Sequence, residues 1–112
     1  METTPFGYAL VTAEEVDALR KEHAPTPGGL LLLDVRTPAE YRSHRIPGAR
    51  LLPIHELATR YQELDPDVRT ICICEHGVRS EAAAEFLARQ GFTFVANLRG
   101  GMARWSGEIE RG

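Results

Sequence analysis

The chain reads as an α/β domain built on a mostly parallel sheet covered by helices on both faces, and three observations point there. Apolar and β-branched runs alternate with helix-start signals, the links between them are short, and Leu30-Leu31-Leu32-Leu33-Asp34-Val35 is apolar at consecutive positions. A strand half open to water would alternate apolar with polar, so that run reads as a strand buried on both faces, which is the habit of parallel sheets.

Residues 1–7, with Pro5 and Gly7, read as a loose arm, and residues 8–11 as a short edge strand. Thr12 with Glu15 three positions on forms a capping box, and Val16 and Leu19 recur at helical spacing, which predicts a first helix from 13 to about 22. Ala24-Pro25-Thr26-Pro27-Gly28-Gly29 is a surface turn ahead of the buried strand. Thr37-Pro38-Ala39-Glu40 repeats the helix-start chemistry, with a cap, a proline at the first helical position and a carboxylate at the third, so a short helix runs through Ser43. Ile46-Pro47-Gly48-Ala49 turns into a brief strand at 49–52. After Pro53, the residues Ile54, Leu57, Ala58, Tyr61 and Leu64 share one helical face until Asp65-Pro66-Asp67 ends it. Residues 70–74 form the next strand. A helix over 79–90 follows, with Ala83, Phe86 and Leu87 inward, Glu85 four before Arg89, and Gly91 as its stop. Residues 93–98 supply a last buried strand, Gly100-Gly101 permits an unusual backbone, and 102–105 form a further short helix before a polar tail at 108–112.

At 112 residues the expectation is one domain, spanning 1–112. A hydrophobic fraction of 43% and a charged fraction of 26% are those of an ordinary soluble protein, and a net charge of −3 argues against nonspecific nucleic-acid binding. No apolar stretch approaches a membrane span, and Met1-Glu2-Thr3-Thr4-Pro5 lacks the pattern of a secretory leader, so a cytoplasmic protein is expected. Cys72 and Cys74 stand two apart on a strand, where a disulfide would distort the backbone.

The stretch from Thr70 to Ser80 organises the rest. A β-branched run ends at Cys74, a turn passes through Gly77, and a helix begins near Ser80. Such a turn aims successive backbone N–H groups, and the positive end of the helix dipole, into one concavity. A thiolate is an anion suited to that place and is the reactive form of cysteine, so Cys74 is the expected nucleophile rather than a core thiol. The cradle is expected to comprise Glu75, His76, Gly77, Val78, Arg79 and Ser80, with Arg79 adding a full positive charge. Ligands of parallel sheets gather at the carboxyl ends of strands, where Asp34 and Arg36, Cys74 and Arg99 all stand. Asp34 and Arg36 are read as holders of the Cys74 loop, the alternative being a solvated pair. Arg99 stands evenly between anion attraction and plain surface charge. Cys72 is expected in the core, His76 as an exposed loop residue lending its N–H, His44 in a turn, and Trp105 in the core or a pocket wall. Cys72, Cys74, His76 and His44 do not present a dependable tetrahedron, so no metal is expected.

Four segments together carry a family likeness. Asp34-Val35-Arg36 with Glu40-Tyr41, then His44-Arg45-Ile46-Pro47-Gly48-Ala49, then Cys74 through Arg79-Ser80, then Gly100-Gly101-Met102 with Trp105, resemble the single-domain rhodanese family of thiosulfate sulfurtransferases, over about residues 8–107. The resemblance implies a five-stranded sheet flanked by helices and no cofactor. It implies that Cys74 takes sulfane sulfur from a donor such as thiosulfate or a persulfide, and that cyanide or a thiol, or a sulfur-relay protein, removes it. Two other readings stand beside it: a sulfur-relay or regulatory binding module with little turnover, and a phosphatase or arsenate reductase. Four residues separate Cys74 from Arg79, whereas tyrosine phosphatases and rhodanese-like phosphatases use a loop one residue longer, so the smaller cradle suits an extra sulfur better than a phosphoryl group. Glu75, next to the nucleophile, would oppose a dianionic donor, which predicts that thiosulfate is a poor one.

Overall fold

A computed structural model describes residues 1–23 and 29–112. The predicted turn at 24–29 falls outside the described residues except for Gly29.

Five parallel strands form the body of the sheet: β2 (Ala9–Val11), β3 (Leu30–Asp34), β5 (Arg50–Leu51), β6 (Arg69–Ile73) and β7 (Val95–Leu98). Their order is β2-β7-β6-β3-β5, and a sixth strand, β1 (Glu2–Thr3), pairs antiparallel on the outer side of β2. Two expectations are therefore corrected. The segment read as a loose arm holds a strand, and residues 8–11 do not form the edge, because a tight return through Gly7, at φ +88°, lets Glu2 and Thr3 face Leu10 and Ala9. Thr4 closes that return, its N–H and its hydroxyl both donating to the carbonyl of Tyr8. The polar tail is likewise partly ordered: β8 (Glu110–Arg111) pairs antiparallel with β4 (His44–Arg45), and Arg45 meets Glu110 across them. The pairing of β8 with β4 joins distant segments, which local composition does not register, while β1 folds back on its neighbour β2 in a run too short and polar to read as a strand.

The helices form where their caps predict. In α1 (Ala13–His23) the Thr12 hydroxyl accepts from the Glu15 N–H while the Glu15 carboxylate accepts from the Thr12 N–H. In α2 (Pro38–Ser43) Thr37 and Glu40 make the same reciprocal pair. The remaining helices are α3 (Ile54–Arg60), continued by a 3₁₀ turn at Tyr61–Glu63, and α4 (Val78–Arg89); a second 3₁₀ turn spans Gly101–Arg104. Among the described residues no helix is long and apolar enough to cross a membrane.

The strand pleat sends neighbouring residues to opposite faces. Leu33, Val35, Cys72 and Cys74 pack with Leu57, Ala83 and Leu87 on the side of α3 and α4, while Leu32, Ile71, Ile73 and Leu98 pack with Val11, Val16 and Met102 on the other. The register sets Leu33 and Asn97 on either side of Cys72, and Asp34 beside Ile73. The carboxyl ends of β3, β6 and β7 thus come level, and Asp34, Arg36 and Cys74 lie along that end.

Candidate active site

Cys74 follows β6, and its side chain is almost fully buried, with 1% exposure. Burial has not turned it away from the loop. The Gly77 N–H donates to its Sγ at 3.0 Å and the Ser80 N–H at 3.3 Å, with the Ser80 Oγ at 3.2 Å. The sulfur sits against two backbone amides at the start of α4, a setting that favours negative charge there.

Glycines make the curl possible. Gly77 caps α4 at φ +88°, a conformation strained for any side chain, and a Cβ there would meet the Gly100 nitrogen at 3.2 Å. Gly101, at φ +62°, presses against the loop from the other side, where a Cβ would lie 2.4 Å from the Cys74 carbonyl oxygen. That close approach lets the Met102 N–H donate to the Cys74 carbonyl at 2.8 Å and the Ala103 N–H to the Glu75 carbonyl at 2.9 Å. The last 3₁₀ turn is thereby bonded to the backbone that carries Cys74.

A residue not singled out in the sequence completes the support. Asn97, 3% exposed on β7, donates from Nδ2 to the Gly77 carbonyl at 3.1 Å and accepts the Ser80 hydroxyl at its Oδ1. Because a carbonyl only accepts, the amide nitrogen must face Gly77 and the oxygen must face Ser80. The single hydroxyl proton of Ser80 is then committed to Asn97, so toward Cys74 its oxygen can only accept from the thiol, and negative charge on the sulfur is met, among the described residues, by the Gly77 and Ser80 amides alone. An asparagine inside the apolar run Phe94-Val95-Ala96-Asn97-Leu98 was the available signal, since a buried amide needs partners.

Asp34 and Arg36 are brought to this site and are not a solvated pair. Arg36 has no exposed surface, and its Nε and Nη2 donate to the two Asp34 oxygens at 2.9 and 2.8 Å. Its Nη2 also donates to the His44 carbonyl at 2.6 Å, and Nη1 reaches Glu75 Oε1 at 3.5 Å. Burial pulls this guanidinium down, but the hydrogen bond and charge of Asp34, with Glu75 and Glu40 behind it, outweigh that and hold it above the ordinary arginine value. Removing one member of such a pair costs about 3–5 kcal/mol, more than most single apolar contacts, so β3, β4 and the Cys74 loop are tied together here.

Arg79 is placed beside the loop but is not a free cation. Both of its terminal nitrogens donate to Glu40, at 2.8 and 2.9 Å, and this bond, with the charges of Glu40, Cys74 and Asp34, raises its pKa against a smaller effect of burial. Of the remaining cradle residues, Glu75 is partly exposed and turns toward Arg36, while His76 and Val78 stand open to water at the rim. Arg99 does not join them: it is exposed, donates to Glu2 at 2.9 Å, and borders a hollow of about 180 Å³ whose lining does not include the Cys74 loop. Cys72 lies wholly in the core, where burial, with a smaller push from Cys74, drives its thiol far up. Among the described residues no group of three His, Cys, Asp or Glu side chains is disposed to hold a metal ion.

The family model of the rhodanese-like domain matches residues 12–108. A sulfurtransferase of Allochromatium vinosum is 42% identical over 77 residues, which cover 69% of this chain and 72% of that protein. The thiosulfate sulfurtransferase GlpE of Pseudomonas fluorescens is 35% identical over 98 residues, 88% of this chain and 84% of its own length. In three dimensions, a rhodanese-related protein from Thermoplasma volcanium aligns with a TM-score of 0.82 at 30% identity, covering 94% of this chain and 100% of that one. With the fold, the four motif segments and these relatives in agreement, the chain belongs to the rhodanese-like sulfurtransferase family.

Proposed function

We propose that the protein moves sulfane sulfur from a donor to a thiophilic acceptor through a persulfide on Cys74. The Cys74 thiolate attacks the outer sulfur of the donor, that sulfur's bond to the rest of the donor breaks, and the leaving group departs with the electron pair. With thiosulfate the leaving group is sulfite. An acceptor nucleophile, cyanide or a thiolate, then attacks the outer sulfur of the persulfide, and the Cys74 thiolate leaves in turn. No oxidant, reductant or metal enters either half. The observation that supports this reading most directly is the pair of amides, Gly77 and Ser80, aimed at a single sulfur. The cradle amides hold negative charge on the nucleophile before attack and on the departing thiolate afterwards. Asp34, Arg36 and Asn97 act as positioning residues. A free nucleophilic thiol fits a reducing compartment, so the cytoplasm is the proposed location.

The test is intact mass after incubation with a sulfane donor. One added sulfur is expected, lost on addition of cyanide or a thiol and absent in Cys74→Ala. No added sulfur from any donor would overturn the reading, and phosphate release from an aryl phosphate would favour a phosphatase.

A further inference from the structure

The charges around Cys74 are matched among themselves and carry an excess of carboxylate. Asp34, Glu40 and Glu75 stand against Arg36 and Arg79, which leaves one negative charge over. Neither guanidinium is held in reserve for a substrate: Arg36 is fully buried on Asp34 and the His44 carbonyl, and Arg79 is gripped through both nitrogens by Glu40. Of two further arginines at this end of the sheet, Arg99 is bonded to Glu2 away from the loop, and Arg104 is exposed on the last 3₁₀ turn and borders the same hollow as Arg99, whose lining does not include the Cys74 loop. Glu75, next to Cys74 in the chain, is 28% exposed, while the more open Arg79 and Glu40, at 36% and 32%, are closed on each other, so the charge left over beside the loop is a carboxylate.

Thiosulfate brings two negative charges and must leave as a sulfite dianion. A persulfide brings at most one at its reacting end and leaves as a thiolate. Resting on the sulfurtransferase reading above, we infer that the natural donor class is a persulfide rather than thiosulfate, and that Glu75 is the residue that sets this preference. The transfer balances without a further reactant. Cys74–S⁻ attacks the outer sulfur of R–S–SH, the S–S bond breaks toward R–S⁻, and the outer sulfur keeps its proton in Cys74–S–SH. Two like unit charges about 8 Å apart in half-wet surroundings repel by about 1 kcal/mol, so each extra unit of donor charge facing one carboxylate at such a separation weakens association by roughly fivefold.

The experiment measures the second-order rate constant of sulfur uptake by Cys74, read by intact mass, with thiosulfate, cysteine persulfide and persulfidated serum albumin. The expected result is faster uptake from either persulfide than from thiosulfate, the ratio of the two persulfide arms separating a free from a protein-borne source. The thiosulfate rate should rise with added salt, as between like charges. In Glu75→Gln, and in the same direction in Glu40→Gln, the thiosulfate rate should gain on the cysteine persulfide rate by about fivefold. Uptake faster from thiosulfate, or a donor ratio in Glu75→Gln equal to that of the unaltered protein, overturns the donor inference while the sulfurtransferase reading stands. Uptake from no donor overturns both.

Discussion

At the scale of single residues, position in the fold decides what a polar group does. Asn97 and Arg99 are two apart on the same strand end, yet one is sealed between the Gly77 carbonyl and the Ser80 hydroxyl while the other pairs with Glu2 in solvent. Asn97→Ala leaves a buried carbonyl without its donor and a buried hydroxyl without its acceptor. The expected loss of stability is about 1–3 kcal/mol, measured by urea unfolding, and a change within about 0.5 kcal/mol would show that water or a shifted Ser80 replaces the amide. Asn97 was hidden in the sequence because its neighbours made the strand obvious and its partners lie 17 and 20 residues away. The place of Cys74 between strand and helix was legible because its signal is local: a strand, a glycine turn and a helix start within a few positions.

At the scale of elements, α2 is bound to the start of α4, beside the Cys74 loop, by one ion pair spanning 39 positions of sequence. The hydrogen bond from Arg79, with help from the Thr37 amide and hydroxyl and against a smaller cost of burial, pulls the Glu40 carboxyl down to about 2. A carboxyl lowered on folding stabilises the native state above its unfolded value near 4.5, and that contribution fades as pH falls through about 2. Both side chains are about one-third exposed, so solvent screening reduces the worth of the pair to about 1 kcal/mol. Between about pH 5 and about pH 2 the unaltered protein should lose about 1 kcal/mol more than Glu40→Gln, read from urea midpoints at each pH. Equal losses would place the acid sensitivity elsewhere. The helix-capping role of Glu40 was readable from Thr37-Pro38-Ala39-Glu40; its second role was not, since its two oxygens serve the cap and Arg79 together.

At the scale of the whole molecule, the sheet is sandwiched between two apolar layers, and its outer edge is closed by the chain's own first residues. Removing residues 1–7 uncovers β2, whose edge would then lie open to pairing with other chains. The expected outcome is a melting temperature lower by about 5 °C, corresponding to about 1 kcal/mol, with sulfur uptake at Cys74 retained because β1 makes its pairs with β2, on the far side of β7. Loss of uptake together with stability would mean that the Glu2 contact to Arg99 reaches the site.

The sequence by itself determined the succession of strands and helices, the caps of α1 and α2, and the cysteine poised where β6 turns into α4, because periodicity, capping and turn chemistry act over a few residues. Only the tertiary structure decided that Arg36 is sealed in the core, that Arg79 is neutralised by Glu40, that Asn97 governs the Ser80 hydroxyl, and that β1 completes the sheet. The last of these rests on a two-residue antiparallel pairing too short to read from composition, and the others on which separate segments the parallel register brings level, where a charge or an amide acquires its meaning only from the partner it meets.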